Sequence, residues 1–160
     1  VKPAAVRVDL PTQRLDLTIG GELSRSFPVS TSRNGAGERN GSFQTPRGRH
    51  VIRAKVGHGA PVGAVFRGRR PTGEIYSAKL ARERRDADWI LTRILWLSGL
   101  EVGRNRLGDV DSMRRMIYIH GTPDSEPLGV PRSLGCIRMR NEDVVELFDL
   151  VSVGTIVDIE

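Results

Sequence analysis

The first thirty residues alternate apolar and polar side chains with a period of two, a pattern that suits antiparallel strands and little else. Val6-Arg7-Val8-Asp9-Leu10 alternates, Pro11-Thr12-Gln13 interrupts, and Leu15-Asp16-Leu17-Thr18-Ile19 alternates again. Gly20-Gly21 supplies the positive φ angles of a tight hairpin into a third strand at residues 23–29. Successive side chains of a strand point to opposite faces, so each segment presents one apolar face that needs covering. At 160 residues the chain is long enough to bury a core as one domain, with that core over about residues 6–159. Its 18 Gly, 9 Pro and 38% hydrophobic residues fit a mostly β fold with a few helices better than a helical bundle.

Further along, a Gly/Asn/Ser-rich loop is expected at 31–46, a strand at 48–56 and a glycine-rich connection from 57 to about 73. Residues 75–85 fit either a short helix or an irregular insertion. Residues 89–97 read as a buried strand, and 116–119 as another that delivers His120 at its end. Asn141-Glu142-Asp143 then marks a helix start, with Asn141 accepting from free amides and the two acids at the positive end of the dipole. Val144, Val145, Leu147, Phe148 and Val151 follow at helical spacing, and residues 155–159 form a closing strand. Repeats, low-complexity tracts and linkers are absent.

Charge narrows the setting without choosing a partner. The net charge is +6, from 25 Lys and Arg against 19 Asp and Glu, with short clusters at Arg67-Gly68-Arg69-Arg70 and Arg82-Glu83-Arg84-Arg85. Such a surface suits polyanionic surroundings. No apolar run reaches 18 residues, so no transmembrane segment is expected in this chain. It begins Val1-Lys2-Pro3, without a methionine or an apolar signal core, so any targeting segment is expected to lie outside it.

The segment from His120 to Met139 carries the chemistry. Its Cys136 is the only cysteine, which excludes an intrachain disulfide, and His120 is one of three histidines. A lone thiol in a Gly-flanked turn with an upstream histidine is the pattern of a nucleophile and its base. A free thiol has a pKa of about 8.5 and needs an imidazole or amide dipoles to lower it. Gly135 allows close backbone approach, so the Gly135 and Cys136 amides are candidates for an oxyanion hole, and Arg138 for a carboxylate. The alternative is a buried, inert thiol. His50 reads as a surface or half-buried strand residue and His58 as a turn residue. No metal site is expected, because the local ligand spacing is absent. No serine stands in a G-x-S-x-G context to compete as nucleophile.

Ile119-His120-Gly121-Thr122, Ser133-Leu134-Gly135-Cys136-Ile137-Arg138-Met139, and Asn141 followed by a helix closing on Gly154-Thr155-Ile156-Val157 resemble the L,D-transpeptidase (YkuD-type) catalytic domain. Phe27-Pro28-Val29-Ser30-Thr31 and Gly41-Ser42-Phe43-Gln44-Thr45-Pro46-Arg47-Gly48 are similar to that family's opening strands and substrate-side loop, and the likeness runs from Val6 to Ile159. The resemblance implies a single-domain β-sandwich fold, residues 1–160, acting on peptidoglycan stem peptides through a thioester. It implies Cys136 as nucleophile, His120 as base, the Gly121 carbonyl as the group orienting the imidazole, and Gly135, Arg138 and Ser133 on the substrate side. It implies no cofactor, no nucleic acid, a monomer, and a place in the periplasm or cell envelope of a bacterium. Transfer to an amine gives a 3→3 cross-link, whereas transfer to water makes the protein an L,D-carboxypeptidase or amidase. A non-catalytic wall-binding relative is the third reading. The family's motif usually reads Ser-His-Gly-Cys, and Leu134 stands here in place of that second histidine.

Overall fold

The computed structural model describes residues 2–160. The alternating segments form the expected meander: β1 (Ala4–Asp9), β2 (Arg14–Ile19) and β3 (Glu22–Ser30) pair antiparallel in sequence, and β4 (Gly48–Val56) follows the long loop. After it come β5 (Ala64–Arg67), β6 (Arg70–Ile75), the short helix α1 (Ala78–Glu83) and β7 (Ile90–Gly99). The remainder is β8 (Tyr118–Gly121), β9 (Ile137–Met139), helix α2 (Asn141–Leu150) and β10 (Ile156–Ile159). Among the described residues no helix is long and apolar enough to cross a membrane.

The strands form one sheet in the order β4-β10-β1-β2-β3-β9-β8-β7-β5-β6, and β4 pairs in addition with β7. That extra pairing, from His50 opposite Gly99 to Val56 opposite Ile94, closes eight strands into a ring. The sandwich is therefore one sheet folded back on itself, with β5 and β6 as a hairpin standing outside the ring. Its interior takes the apolar face of each strand: Val6 and Val8, Leu15 and Leu17, Leu95 and Leu97, Ile137 and Met139. Val144, Leu147 and Phe148 of α2 complete the same core, while Val145 is only half-buried.

Three expectations need correcting. The connection at 57–73 contains β5 and the start of β6. Only Ala64, Val65 and Phe66 are buried there, too short a run to stand out among glycines, and the turn is made by Gly68 and Arg69 at φ 55° and 62°. Asn141 does not cap α2. Arg140 holds the cap position without a side-chain bond, and Asn141 is buried, accepting from Thr92 Oγ1 at 2.6 Å and donating to the Thr122 carbonyl at 2.9 Å. His50 is fully buried, its ring nitrogens 3.0 Å from the Gly48 carbonyl and 2.8 Å from Ser112 Oγ. The undecided stretch at 75–85 resolves into α1, started by Ser77, whose Oγ accepts from the Leu80 amide at 3.1 Å.

Candidate active site

Strands β8 and β9 run parallel, with Ile119 opposite Ile137 and His120 opposite Arg138. Parallel neighbours need a crossover, and residues 122–136 supply it, returning the chain to the β8 edge just as Cys136 is reached. Alternation then sorts the side chains. Ile117, Ile119, Ile137 and Met139 enter the main core. Tyr118, His120, Cys136 and Arg138 share the opposite face, where Tyr118 joins Ala64, Phe66 and Ile94 in a second apolar cluster that packs against Cys136. The β5–β6 hairpin thus roofs the face that carries the thiol and the imidazole.

His120 is fully buried, and its Nδ1 lies 2.7 Å from the Gly121 carbonyl oxygen. A carbonyl only accepts, so Nδ1 carries the proton and the neutral ring presents a bare Nε2. That Nε2 has no hydrogen-bond partner among the described residues. Burial lowers the His120 pKa, against the opposing charge of Asp88. Gly121 has no room for a side chain: a Cβ there would stand 2.6 Å from the Leu91 carbonyl oxygen and would strike Asn141.

Cys136 is half-buried. Its sulfur accepts from the Tyr118 amide at 3.3 Å and donates to the Met116 carbonyl at 3.3 Å. Atoms crowding the sulfur push the thiol up to about 12, with the Tyr118 amide and the charges of Arg138 and Arg115 pulling the other way. At neutral pH the resting imidazole and the resting thiol are therefore both neutral.

The turn before Cys136 differs from expectation. Ser133 is only 1% exposed and faces inward, its Oγ donating to the Cys136 carbonyl at 2.6 Å and accepting from the Gly135 amide at 3.1 Å. The Gly135 amide is thus held by Ser133 and does not face the cleft. Thr45 Oγ1 donates to the Gly135 carbonyl at 2.9 Å, and Gly135 adopts a φ of 131° that side chains rarely tolerate. Arg138 is also committed: its guanidinium, largely buried, meets Asp88 at 3.0 Å and Glu126 at 3.7 Å.

Arg115, which no local motif marks, is part of the site. Its Nη1 donates to the carbonyls of Gly37 at 3.2 Å and Glu38 at 3.1 Å, and its Nη2 to Ser42 Oγ at 3.3 Å and the Gln44 carbonyl at 2.6 Å. It pins the long loop beside the thiol and places a positive charge near the sulfur. Arg69, at the tip of the hairpin, donates to Tyr118 OH at 3.0 Å and lies over the Trp96 ring at 4.6 Å. Together with Phe43, Phe66, Tyr118, Leu134 and Cys136 these arginines line a cleft of about 430 Å³. Of the basic stretch at 67–70, Gly68 and Arg69 are therefore part of the cleft wall. His50 and His58 lie elsewhere, the latter stacked on Phe148 with ring centroids 6.5 Å apart. No cluster of His, Cys, Asp and Glu suited to a metal occurs among the described residues.

Comparison with known proteins places this architecture. The YkuD model, describing the L,D-transpeptidase catalytic domain, matches residues 3–159. A probable L,D-transpeptidase ErfK/SrfK of Salmonella typhimurium is 51% identical over 45 residues, 28% of this chain and 15% of that protein. A putative L,D-transpeptidase YqjB of Bacillus subtilis is 51% identical over 41 residues, 26% of this chain and 23% of that protein. Among solved structures, an L,D-transpeptidase from Mycobacterium smegmatis superposes with a TM-score of 0.59 at 20% identity, covering 99% of this chain and 59% of that one. L,D-transpeptidase 3 from Mycobacterium tuberculosis, in complex with a faropenem-derived adduct, gives a TM-score of 0.62 at 16% identity, covering 99% and 60%. The curated relatives are thus matched over short segments, and the chain spans about three-fifths of the solved ones. Those structural likenesses speak for the fold.

Proposed function

This chain belongs to the YkuD-type L,D-transpeptidase catalytic domain family, and we propose that it transfers acyl groups from peptidoglycan stem peptides through a thioester on Cys136. The observation that carries the proposal is the bare, unpartnered Nε2 of His120 on the same sheet face as the Cys136 sulfur. Turning the S–H away from the Met116 carbonyl toward Nε2 lets His120 take the proton as sulfur attacks the donor carbonyl. The Gly121 carbonyl holds the imidazole and stabilises its charged form, a role a carboxylate fills in other triads. The Cys136 amide is the proposed donor to the tetrahedral oxyanion, and Arg115 supplies positive charge beside it.

The donor is a tetrapeptide stem cut after its third, diamino-acid residue. The C–N bond breaks, His120 protonates the departing terminal D-alanine, and the acyl group remains on sulfur. An amine of a second stem then completes a 3→3 cross-link. This assigns the protein to the periplasm or cell envelope of a bacterium, where that polymer lies.

Incubation with purified disaccharide tetrapeptide, followed by mass analysis, tests the reading. Dimers are the expected product. Tripeptides without dimers mean hydrolysis, hence an L,D-carboxypeptidase. No product from the stem, together with no adduct from a penem of the faropenem type, leaves only a wall-binding role and overturns the enzymatic reading.

A further inference from the structure

Two concavities meet at Leu134. One is the cleft over the thiol. The other, a groove of about 450 Å³, lies on the far side of Leu134 and Asp88, which line both. Into it project Arg33 from the loop after β3, Arg85 from the connection after α1, and Arg132 from the crossover that ends in Cys136. The ion pairs of this groove are those of Arg138 with Asp88 and Glu126. Arg33, Arg85 and Arg132 are left without an ionic partner among the described residues, and Asp86 is the one other carboxylate present.

Two of these arginines are placed by the backbone that builds the nucleophile's turn. Ser32 bridges Ser133, the Arg33 amide donates to the Ser133 carbonyl at 3.0 Å, and the Arg132 amide donates to the Thr31 carbonyl and to Ser30 Oγ, both at 3.0 Å. The backbone that carries Arg33 and Arg132 is therefore tied directly to the turn that presents Cys136. An exposed guanidinium fork with no protein partner is suited to a carboxylate.

We infer that this groove seats the acceptor and selects amines that carry a carboxylate, with Leu134 as the apolar wall between acceptor and acylated thiol. The inference rests on the transferase reading above. Arginine charge there acts twice. It anchors the acceptor's carboxylate, and it disfavours an ammonium, so that the amine arrives unprotonated and nucleophilic. Nitrogen then attacks the thioester carbonyl, an amide bond forms, and the C–S bond breaks. The proton lost by nitrogen passes by way of His120 to the sulfur, restoring the thiol. A leucine at position 134 adds no titratable group to this passage, so selection falls to the arginines.

The test uses glycine and glycinamide as paired acceptors. Acyl-enzyme is first formed from a tetrapeptide donor and verified by mass; each acceptor is then added at equal free-amine concentration. Glycine is expected to be used about tenfold better, the scale of one or two charge-assisted contacts, and the combined variant Arg33→Gln, Arg85→Gln, Arg132→Gln is expected to lose that preference. These side chains are exposed, and the acyl-enzyme formed in the first step shows that the variant is folded. Equal use of both acceptors by the unaltered protein, or a preference that survives in the variant, overturns the inference while leaving the transferase reading in place. Failure of the unaltered protein to form any acyl-enzyme overturns both.

Discussion

The Nδ1 of His120 donates to the carbonyl oxygen of Gly121, its own successor in the chain, over 2.7 Å. The contact fixes the tautomer through the chain's own covalent path, so the imidazole can be misaligned only by moving the end of β8. Gly121→Ala does this, since its Cβ meets the Leu91 carbonyl at 2.6 Å as well as Asn141. The expected result is a loss of about 3 kcal/mol in urea unfolding and a fall in acylation rate of about a hundredfold or more. Cys136→Ala, by contrast, is expected to abolish acylation while the unfolding midpoint at neutral pH changes little. An unfolding curve for Gly121→Ala that matches the unaltered protein would contradict the first expectation.

Thermal stability should follow a plateau with two shoulders. His50 and His120 are buried and held below the ordinary histidine value of 6.5, so below that pH the unfolded chain binds more protons than the folded one. Their contribution is complete above 6.5 and is lost as pH falls from there through the folded values. Cys136 acts in the opposite sense, raised from 9.0 to about 12, so its contribution is complete below 9.0 and is lost as pH climbs through 12. Melting temperatures measured from pH 5 to pH 11 are expected to fall at both ends. Cys136→Ala should flatten the alkaline shoulder, and His50→Gln should reduce the acid one while leaving the share due to His120.

The same shifts predict how the thiol reacts. With a neutral imidazole and a neutral thiol at rest, alkylation by iodoacetamide at pH 7 should be slower than for a free thiol of pKa about 8.5, and should keep rising beyond pH 9. The acid limb of kcat/KM should lie below 6.5, because burial delays protonation of His120 to lower pH. A fast, pH-independent alkylation between pH 6 and 8 would indicate a preformed thiolate–imidazolium pair instead.

Arg115 makes its four hydrogen bonds to a single loop segment, Gly37 to Gln44, from a half-buried position. Arg115→Gln removes most of them and leaves the part-buried carbonyls of Gly37, Glu38 and Gln44 short of donors. Unfolding free energy should fall by about 2 kcal/mol, and limited proteolysis should open the chain within that loop. Arg115→Lys restores charge but not the fork, and is expected to recover only part of either effect.

Ser133→Ala separates positioning from chemistry. It strips the Cys136 carbonyl of a donor and the Gly135 amide of an acceptor, at a cost of about 1–2 kcal/mol. Acylation should slow, while the pH at which kcat/KM falls should stay where it is, since Ser133 holds no proton that moves. A displaced pH profile would place Ser133 in the proton path.

Much of this is legible in the sequence. Period-two segments located β1 to β4, because strand alternation is a local property, and the motifs around His120 and Cys136 pointed to the family whose model matches residues 3–159. Long-range pairing hid the rest. Arg115 acquires its role only because the loop at 37–44 folds beneath it, and Arg69 only because the hairpin tip comes down on Tyr118. Asn141 looks like a helix cap in sequence, but Thr92 and the Thr122 carbonyl, on other elements, claim its amide. The Gly135 amide and the Arg138 guanidinium looked available to substrate, yet Ser133, Asp88 and Glu126 engage them. Partners chosen by tertiary structure leave no periodic trace.

The closing pairing of β4 with β7 leaves the ring without a free margin, and it sets the β5–β6 hairpin apart as an appendage. β5 is joined to β7 at two register positions, Val65 opposite Leu91 and Phe66 opposite Ile90. Residues can be gained or lost at the tip of such an appendage without shifting the register of any ring strand. One wall of the cleft over Cys136 can thus change length while the strands that carry His120 and Cys136 keep their pairing.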